Sequence, residues 1–305
     1  MTVPRPTVAV SGAGGFIGQH VVATLRSHGH RVVAIERTGE PARDRVVDDL
    51  SDPNALAACL VEAGVAALVH AAWTGHPRSA GNDYAGQLRD SLVPTTNVAL
   101  AAGLAGVRSV VLISSGGGIT AIRQRTSAPP AYGWAKAVAE GIFEAHAEMF
   151  DYALTTIRPT AVYGPGQRPE RGLGAVSVFA DAMLRDEPIR VLGPDSATRD
   201  YLHVSDLTRA VQAAITNEVH GAFDLGGPRP VSIKELISLL ETATGLGARV
   251  EHLPASGFDP DSVELDNTPF HDLTGWTPEA DLEHSIGEVI AWLRTDRSSA
   301  GPQQG

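Results

Sequence analysis

Residues 7–22 read TVAVSGAGGFIGQHVV, and this stretch decides the fold of the first half of the chain. A short β-branched run is followed by glycines spaced Gly12-x-x-Gly15-x-x-Gly18 and then by apolar residues at helical spacing. A strand, a glycine-rich turn and a helix in this order are typical of a dinucleotide-binding fingerprint. Gly12 would permit the tight turn, Gly15 the approach of backbone to a pyrophosphate, and Gly18 close packing of the helix on the strand.

The residues around this turn indicate which cofactor it would hold. The helix starts with Phe16 and Ile17, and unpaired N–H groups at a helix N-terminus suit phosphates. Glu36 ends the second predicted strand, where a carboxylate accepts hydrogen bonds from ribose hydroxyls and repels a 2′-phosphate. Arg37 beside it could instead bind that phosphate. The pattern favours NAD and leaves NADP possible; a solvated Glu–Arg pair is the alternative.

Strand-like and helical patterns alternate through the first half of the chain. The predicted strands are Val8–Ser11, Arg31–Ile35, Arg45–Val47, Ala67–His70, Ser109–Ile113 and Ala153–Arg158. The predicted helices are Phe16–Ser27, Pro53–Glu62, Asp83–Ala105 and Tyr132–Phe150. This alternation indicates parallel strands with crossover helices, so the predicted fold class is α/β with a Rossmann-type, doubly wound parallel sheet.

The pattern changes after Tyr163, where glycines and prolines interrupt it and charged residues become frequent. We therefore predict a Rossmann domain for NAD(P) over residues 1–163 and a smaller, mixed α/β, mainly substrate-binding region over residues 164–305. Segments near 200–226 are expected to return to the sheet, through Tyr201–Ile215 and Ala222–Leu225.

Small and acidic residues at other predicted strand ends also suit a cofactor. Asp49-Leu50 follows the third strand, where a carboxylate could reach an adenine amino group, although acidic residues also form turns. Ala71-Ala72 follows the fourth strand, and residues of this size let a flat cofactor lie against backbone. His70 is interpreted as a packed histidine at the strand end.

Tyr132-Gly133-Trp134-Ala135-Lys136 carries the candidate catalytic side chains. Four residues apart on a helix, the Tyr132 phenol and the Lys136 ammonium share one face. The lysine charge favours phenolate, so the pair can move a proton to or from an alcohol. Because the Y-x-x-x-K pattern also arises by chance, the assignment of these two residues as catalytic depends on the glycine-rich turn upstream. Ser114-Ser115, followed by three glycines, closes the fifth strand, where a hydroxyl could bind a substrate oxygen; a flexible turn is the alternative.

Composition limits the class of protein. The 305 residues carry a net charge of −11 without a basic run, which argues against nucleic acid and an anionic membrane surface as partners. The single cysteine, Cys59, can form no internal disulfide, and neither a leader nor a membrane-spanning run is visible. We expect a cytoplasmic enzyme, and no metal site is predicted.

The motifs, in this order, resemble the extended short-chain dehydrogenase/reductases, most closely their sugar-nucleotide epimerase/dehydratase branch. The shared motifs are the Gly12-x-x-Gly15-x-x-Gly18 turn, Asp49-Leu50, Ala71-Ala72, Ser114-Ser115, Tyr132-x-x-x-Lys136, Arg158-Pro159, Val162-Tyr163-Gly164-Pro165, Arg199-Asp200-Tyr201-Leu202-His203-Val204-Ser205-Asp206 and Gly275-Trp276-x-Pro278. The resemblance extends over residues 7–292, nearly the whole chain.

The resemblance implies that the Rossmann domain holds NAD(P) and that the substrate is a nucleotide-linked sugar. Tyr132 would be the general base or acid, Lys136 would bind the nicotinamide ribose and lower the tyrosine pKa, and Ser115 would orient the substrate oxygen. Arg199 would bind the substrate pyrophosphate, a task that suits a planar guanidinium. Pro159 would contact the cofactor.

The serine segment departs from the pattern of that branch. Its usual Val-Tyr-Gly is Ile119-Thr120-Ala121 here, which leaves the assisting hydroxyl open between Ser115, Ser114 and Thr120. Gly116-Gly117 replaces the Asp-Glu pair of the 4,6-dehydratases. Because dehydration needs an acid and a base, that reaction is disfavoured.

Two reactions fit the resemblance. An NDP-hexose epimerase keeps its NAD, oxidises a sugar hydroxyl, commonly at C4, and returns hydride to the other face of the rotated ketone. An NDP-4-keto-sugar reductase uses NAD(P)H once and releases it. Glu36 favours the epimerase, our preferred hypothesis. Two departures favour the reductase: Thr120, and Ala161 at a position where many sugar-nucleotide epimerases have Asn. A third hypothesis, a dinucleotide-binding sensor without turnover, conflicts with the presence of both Tyr132 and Lys136.

The resemblance also bears on assembly. Many relatives pair the helices that correspond to Asp83–Ala105 and Tyr132–Phe150 into a dimer interface, so a homodimer is expected.

Overall fold

The computed structural model describes residues 5–40, 42–75, 83–123, 130–254 and 262–299. Strands within these ranges are β1 (Thr7–Ser11), β2 (Val32–Glu36), β3 (Arg45–Val47), β4 (Val65–His70), β5 (Ser109–Ile113), β6 (Ala153–Pro159), β7 (Ile189–Leu192), β8 (Thr198–Asp200), β9 (Gly221–Leu225), β10 (Pro230–Ser232), β11 (Val250–Leu253) and β12 (Ser262–Val263). Helices are α1 (Phe16–Ser27), α2 (Pro53–Glu62), α3 (Tyr84–Gln87), α4 (Val93–Leu104), α5 (Gly116–Arg123), α6 (Ala131–Phe150), α7 (Ala175–Leu184), α8 (Val204–Thr216), α9 (Ile233–Thr244), α10 (Thr268–Thr274) and α11 (Leu282–Ser299).

The chain divides into two compact units. The first consists of Met1–Pro159, Thr208–Leu225 and Asn267–Trp276, and the second of Thr160–Leu207, Gly226–Asp266 and Thr277–Gly305. The first segment of the first unit ends at Pro159, whereas the sequence placed the domain boundary at residue 163.

A seven-stranded parallel sheet lies in the first unit, with the strand order β3-β2-β1-β4-β5-β6-β9. The chain proceeds from β1 outward to β3 and then returns to the other side of β1 at β4. Ligands of open α/β sheets bind at the carboxyl ends of strands that flank such a switch point. The predicted α/β class and doubly wound parallel sheet are confirmed.

Helices α2, α4 and α6 share one apolar core with this sheet. Leu60, Val110 and Phe143 are among its fully buried members. Burial of a side chain of this size contributes about 1.5–3 kcal/mol, so packing holds these helices on the sheet more than their own propensity does. Helix α1 is joined to α8 by a hydrogen bond of 2.9 Å from the Thr24 hydroxyl to the Thr208 hydroxyl.

The second unit contains two small sheets. Their strand orders are β10-β8-β12 and β11-β7. Helices α7, α9 and α11 surround a core that includes Phe179 and Leu240. The buried Asp206 carboxylate accepts the N–H groups of Glu279 and Ala280 at 3.1 and 2.9 Å, which fixes the segment before α11.

Two predicted elements differ from the structure. Of the segments expected to return to the large sheet, β9 does so beside β6. Thr208–Ile215 also belongs to the first unit, as part of helix α8, but no strand of the large sheet runs through Tyr201–Ile215. The strand just before it, β8, pairs with β10 and β12, and the Asp200 carboxylate accepts the Leu265 N–H at 2.7 Å.

The predicted helix Asp83–Ala105 is divided by a π-helical turn, Leu88–Leu92, which lies directly before α4, a helix with a proline in its first turn. Because proline has no N–H to donate, the regular hydrogen-bond pattern cannot continue there.

Candidate active site

Helices α5 and α6 meet through two glycines. A Cβ added to Gly133 would lie 2.8 Å from the Gly118 carbonyl oxygen, and one added to Gly118 would lie 3.2 Å from the Gly133 Cα. A side chain at Gly133 would not fit this contact without a shift of the Gly118 backbone. The glycines after the serines begin helix α5, so the interpretation as a flexible turn is wrong. The contact brings Ser115 at the start of α5 against Tyr132 at the start of α6.

The Ser115 hydroxyl accepts the Gly118 N–H at 3.2 Å and lies close enough to the Tyr132 phenol to affect its pKa. Burial raises the pKa of the Tyr132 phenol, and the interaction with Ser115 opposes that rise. The neighbouring Ser114 is buried and donates to the Glu140 carboxylate instead. Of the two serines, Ser115 therefore lies beside Tyr132 and Ser114 on Glu140.

Lys136 lies one helical turn beyond Tyr132 and is buried. Its Nζ donates to the Ile113 carbonyl oxygen at 3.0 Å, at the carboxyl end of β5. The same Nζ lies 3.8 Å from the centroid of the Trp73 ring and 6.0 Å from that of Tyr132. Burial lowers the pKa of Lys136 to about 7, and the charge of Glu140 opposes that fall.

Two residues of this site were not singled out from the sequence. Trp73 packs edge to face on Tyr132, with ring centroids 6.2 Å apart, and covers the Lys136 ammonium. A cation–π contact of this kind contributes about 0.5–2 kcal/mol. No pattern in the sequence distinguishes Trp73 from other aromatic residues. Glu140 had a signal, since it follows Lys136 by four residues and so belongs to the same side of α6.

The glycine turn lies at the switch point of the sheet. Gly12 has a φ of +74°, and a Cβ there would lie 2.6 Å from the Ala72 Cα and 2.9 Å from the Ala71 carbonyl carbon. A Cβ on Gly18 would lie 2.0 Å from the Gly12 carbonyl oxygen, and one on Gly15 would lie 3.2 Å from it. The turn is packed so tightly against the residues that follow β4 and against its own helix that side chains are excluded at Gly12 and Gly18.

Glu36 lies at the carboxyl end of β2, with its carboxylate close to the glycine turn. A Cβ on Gly14 would be 3.8 Å from this carboxylate. The Glu36 Oε2 forms an ion pair of 3.3 Å with the Arg45 Nε of β3, and Arg37 is exposed. The structure thus gives Glu36 a cationic partner that the sequence analysis had not identified.

Asp49 and Leu50 follow β3. Asp49 is exposed, and its carboxylate accepts the Ser51 N–H at 3.0 Å; hydrogen bonds from Ser51 lower the pKa of this carboxyl. Leu50 is buried with a φ of +63°, and its N–H donates to the Asp48 carboxylate at 2.5 Å. The segment is therefore a turn with a fixed backbone, with the Asp49 carboxylate at its surface.

Three other predicted cofactor residues lie at this edge of the sheet. Phe16 and Ile17 begin α1 immediately after the Gly15 N-cap. Pro159 is buried at the carboxyl end of β6. Since all strands of the sheet are parallel, these residues share the edge that carries Ser115 and the glycine turn.

His70 is enclosed by hydrogen bonds at the end of β4. Its Nδ1 lies 2.7 Å from the Ser11 Oγ and its Nε2 3.1 Å from the Thr95 Oγ1. Burial, followed by the positive charge of Lys136, lowers the pKa of His70 to about 3. It is a neutral, packed histidine, as predicted.

Arg199 belongs to the second unit and not to the edge described above. It lies on β8, and its Nη1 donates to the Thr198 carbonyl oxygen at 2.7 Å. Its positive charge opposes the rise that burial causes in the pKa of Tyr201.

The described residues offer neither a metal-binding cluster nor a membrane-spanning helix. Within the described ranges, no group of three or more His, Cys, Asp and Glu side chains is placed to hold a metal ion. The helices of these ranges include none with the length and apolar character needed to cross a membrane.

Comparison with known proteins gives consistent similarities. The model of the NAD dependent epimerase/dehydratase family matches residues 8–226. A UDP-glucose 4-epimerase of Mycolicibacterium smegmatis is 28% identical over 93% of this chain and 97% of its own length. A dTDP-4-dehydro-6-deoxy-D-allose reductase of Streptomyces bikiniensis is 28% identical over 94% and 96%. The solved structure of MoeE5 in complex with UDP-glucose and NAD is 28% identical, with a TM-score of 0.83 over 95% of this chain and 99% of that one.

Proposed function

The chain belongs to the NAD dependent epimerase/dehydratase family, and we propose from that premise that it is an NAD-dependent epimerase of a nucleotide-activated hexose. The strongest support is the grouping of Ser115, Tyr132 and buried Lys136, with the Lys136 Nζ one helical turn from Tyr132 and 6.0 Å from the centroid of its ring. These groups can exchange a proton with an alcohol at the edge of the sheet where a dinucleotide would bind. The likeness to an epimerase of M. smegmatis and to an NAD complex with UDP-glucose supports the same assignment.

The residues around the glycine turn fit a dinucleotide. Side chains are excluded at Gly12 and Gly18, and α1 begins there with backbone N–H groups for a pyrophosphate. The Glu36 carboxylate, close to the turn, would accept hydrogen bonds from ribose hydroxyls. Bound NAD supplies the acceptor of a hydride and, once reduced, its donor. Further contacts would come from Phe16, Ile17, Asp49, Leu50, Ala71, Ala72 and Pro159.

Tyr132 would manage the proton of the reacting sugar hydroxyl. As phenolate it would accept that proton during oxidation, and as phenol it would return it to the carbonyl oxygen during reduction. Lys136, while charged, favours the phenolate by attraction, and Ser115 orients the phenol and the substrate oxygen. General acid–base catalysis contributes about 10²–10⁴-fold to a rate, which sets the loss expected when the phenol is removed.

The test compares Tyr132→Phe with Tyr152→Phe. Tyr152 is buried in the same unit, and its hydroxyl donates to the Phe143 carbonyl oxygen at 3.4 Å, away from Ser115. With a panel of UDP- and dTDP-hexoses, Tyr132→Phe should lose at least about 100-fold in turnover while the dinucleotide released on denaturation stays the same. Tyr152→Phe should keep its turnover. Full turnover by Tyr132→Phe would overturn the proposal.

An NDP-4-keto-sugar reductase is the second candidate. The likeness to the reductase of S. bikiniensis favours it, as does the Arg45 guanidinium beside Glu36, a cation that could receive a 2′-phosphate. Near-stoichiometric NAD that exchanges slowly would support the epimerase. A protein that purifies without cofactor and binds NADPH more tightly than NADH would support the reductase.

The second unit and the surface helices have proposed roles as well. We propose that Arg199 and other residues of the second unit bind the nucleotide portion of the substrate, and that the chain is a cytoplasmic homodimer. Exposed apolar residues on the helices expected to pair, Leu88, Val93 and Met149, support the dimer. Sedimentation of Met149→Glu as a monomer, against a wild-type dimer, would test it.

A further inference from the structure

Glu140 is a buried carboxylate for which the proposed chemistry has no use. It lies on α6 one turn beyond Lys136 and is 5% exposed. Arg158 of β6 holds it with two nitrogens, Nη2 at 2.6 Å from Oε2 and Nε at 3.0 Å from Oε1, and Ser114 donates to Oε1. Burying a charged carboxylate costs several kcal/mol, and these contacts from Arg158 and Ser114 compensate for that cost.

The charges continue in alternating sign behind the site. The Arg158 Nη1 lies 3.7 Å from the Asp224 Oδ1 of β9, and Asp224 also pairs with Arg123 of α5 at 3.0 Å. At the other end, Glu140 follows Lys136 by four residues on α6 and both are buried, a spacing at which opposite charges on a helix attract each other. The row Lys136, Glu140, Arg158, Asp224, Arg123 thus links the site to three other elements of the first unit.

Among the described residues, few titratable groups face Lys136. Tyr132 and Glu140 lie on the same helix, and His70 approaches from β4. His70 is neutral above about pH 3, so Glu140 supplies the negative charge of this environment at neutral pH. Trp73 and the Ile113 carbonyl contact the ammonium but cannot change their charge.

We propose that Glu140 is a positioning residue that keeps Lys136 charged beside Tyr132, with Arg158 limiting the strength of that effect. The proposal rests on the role of Lys136 in the proposed function. Burial alone would discharge the lysine, and an uncharged lysine would not stabilise phenolate. Arg158 pairs with this carboxylate and carries the opposite charge, so the two residues act on Lys136 in opposite directions. If Glu140 served only to hold α6 against β5 and β6, changes at Glu140 and at Arg158 would not shift the pKa of Lys136 in opposite directions.

The sequence offers a direct test, because Lys136 and Lys234 are its two lysines. With ¹³Cε-labelled lysine, the purified protein should give two signals whose pH titrations report the two pKa values separately. Lys234 is exposed at the start of α9 and serves as the internal reference. Glu140→Gln should lower the titration midpoint of Lys136 by about one pH unit, and Arg158→Gln should raise it. Glu144→Gln, the same change at an exposed site one turn further along α6, should have little effect.

Opposite shifts in the two variants, with Lys234 unchanged, support the proposal. A Lys136 midpoint that stays at the wild-type value in Glu140→Gln overturns it, as does a shift of equal sign in both variants. Should both variants fail to fold, Glu140→Asp retains the charge at a greater distance and must lower the midpoint; an unchanged midpoint overturns the proposal. The measurement needs no substrate, so an inactive wild-type enzyme with the expected shifts would contradict the proposed function alone.

Discussion

The glycine contact between α5 and α6 allows a sharp test of the site's packing. Gly133 and Gly141 lie on the same helix, but their surroundings differ. A Cβ on Gly133 would meet the Gly118 carbonyl oxygen at 2.8 Å, and a Cβ on Gly141 would meet nothing within 4 Å. Gly133→Ala therefore adds a methyl group into a closed contact, and Gly141→Ala adds the same group at an open, exposed position.

The two substitutions share one energetic effect and differ in the other. Replacing glycine by alanine inside a helix stabilises it by about 1 kcal/mol. Overpacking of a tight contact costs about 1–3 kcal/mol, because the Gly118 backbone cannot rotate away as a side chain could. Gly141→Ala should thus stabilise the protein by about 1 kcal/mol, and Gly133→Ala should be about 1–3 kcal/mol less stable than that.

Thermal melts of the wild type and both variants would measure this difference. For a unit of this size, each kcal/mol moves the melting temperature by about 2–4 °C. Gly133→Ala should also lose turnover, because displacement of α5 separates Ser115 from Tyr132, while Gly141→Ala should keep it. Equal stabilisation by the two alanines, with full activity in both, would refute the packing argument.

Three further predictions concern other parts of the chain. The pKa of His70 is about 3 in the folded protein and about 6.5 in the unfolded chain, so the unfolded chain binds more protons between these two pH values. The unfolding free energy should therefore fall by up to about 1.4 kcal/mol per pH unit as the pH drops from 6.5 towards 3. Urea melts of His70→Gln at pH 7 and 4.5 should show a smaller fall; an unchanged one would contradict burial of the neutral ring. Glu36→Ser should weaken NAD binding by about tenfold or more in calorimetry and shift preference towards NADP, whereas Arg37→Ser should do neither. Asp206→Ala should lower the unfolding free energy by about 1–3 kcal/mol, since two buried N–H groups lose their acceptor, and a melt like the wild type's would refute that role.

The sequence predicts the large sheet well because local patterns determine it. The glycines at Gly12 and Gly18 exclude side chains for reasons visible in the strand–turn–helix order itself. The predictions were less accurate where a contact between residues far apart in the sequence determines the local structure. Gly118 of α5 packs on Gly133 of α6, and no residue within α5 indicates that contact.

The pairing of Glu36 shows the same limitation in an ion pair. Sequence proximity suggested Arg37, but successive residues at the end of a strand point to opposite faces. The cation beside the carboxylate is Arg45, since β3 runs next to β2 with Glu36 opposite Val47. The register between neighbouring strands, which cannot be read from the sequence, determines that Arg45 is the partner of Glu36.

The two adjacent serines show how far a motif can predict a site. Tyr132, Lys136 and Glu140 are spaced by four residues, and each step of four turns a helix by about 40° beyond a full turn. The spacing therefore places all three on one side of α6, but the phenol and the carboxylate differ by about 80° in direction. That rotation lets Tyr132 meet Ser115 while Glu140 meets Ser114. The motif predicts that both serines lie near the helix, and the orientation of α6 on the sheet decides which hydroxyl assists the tyrosine.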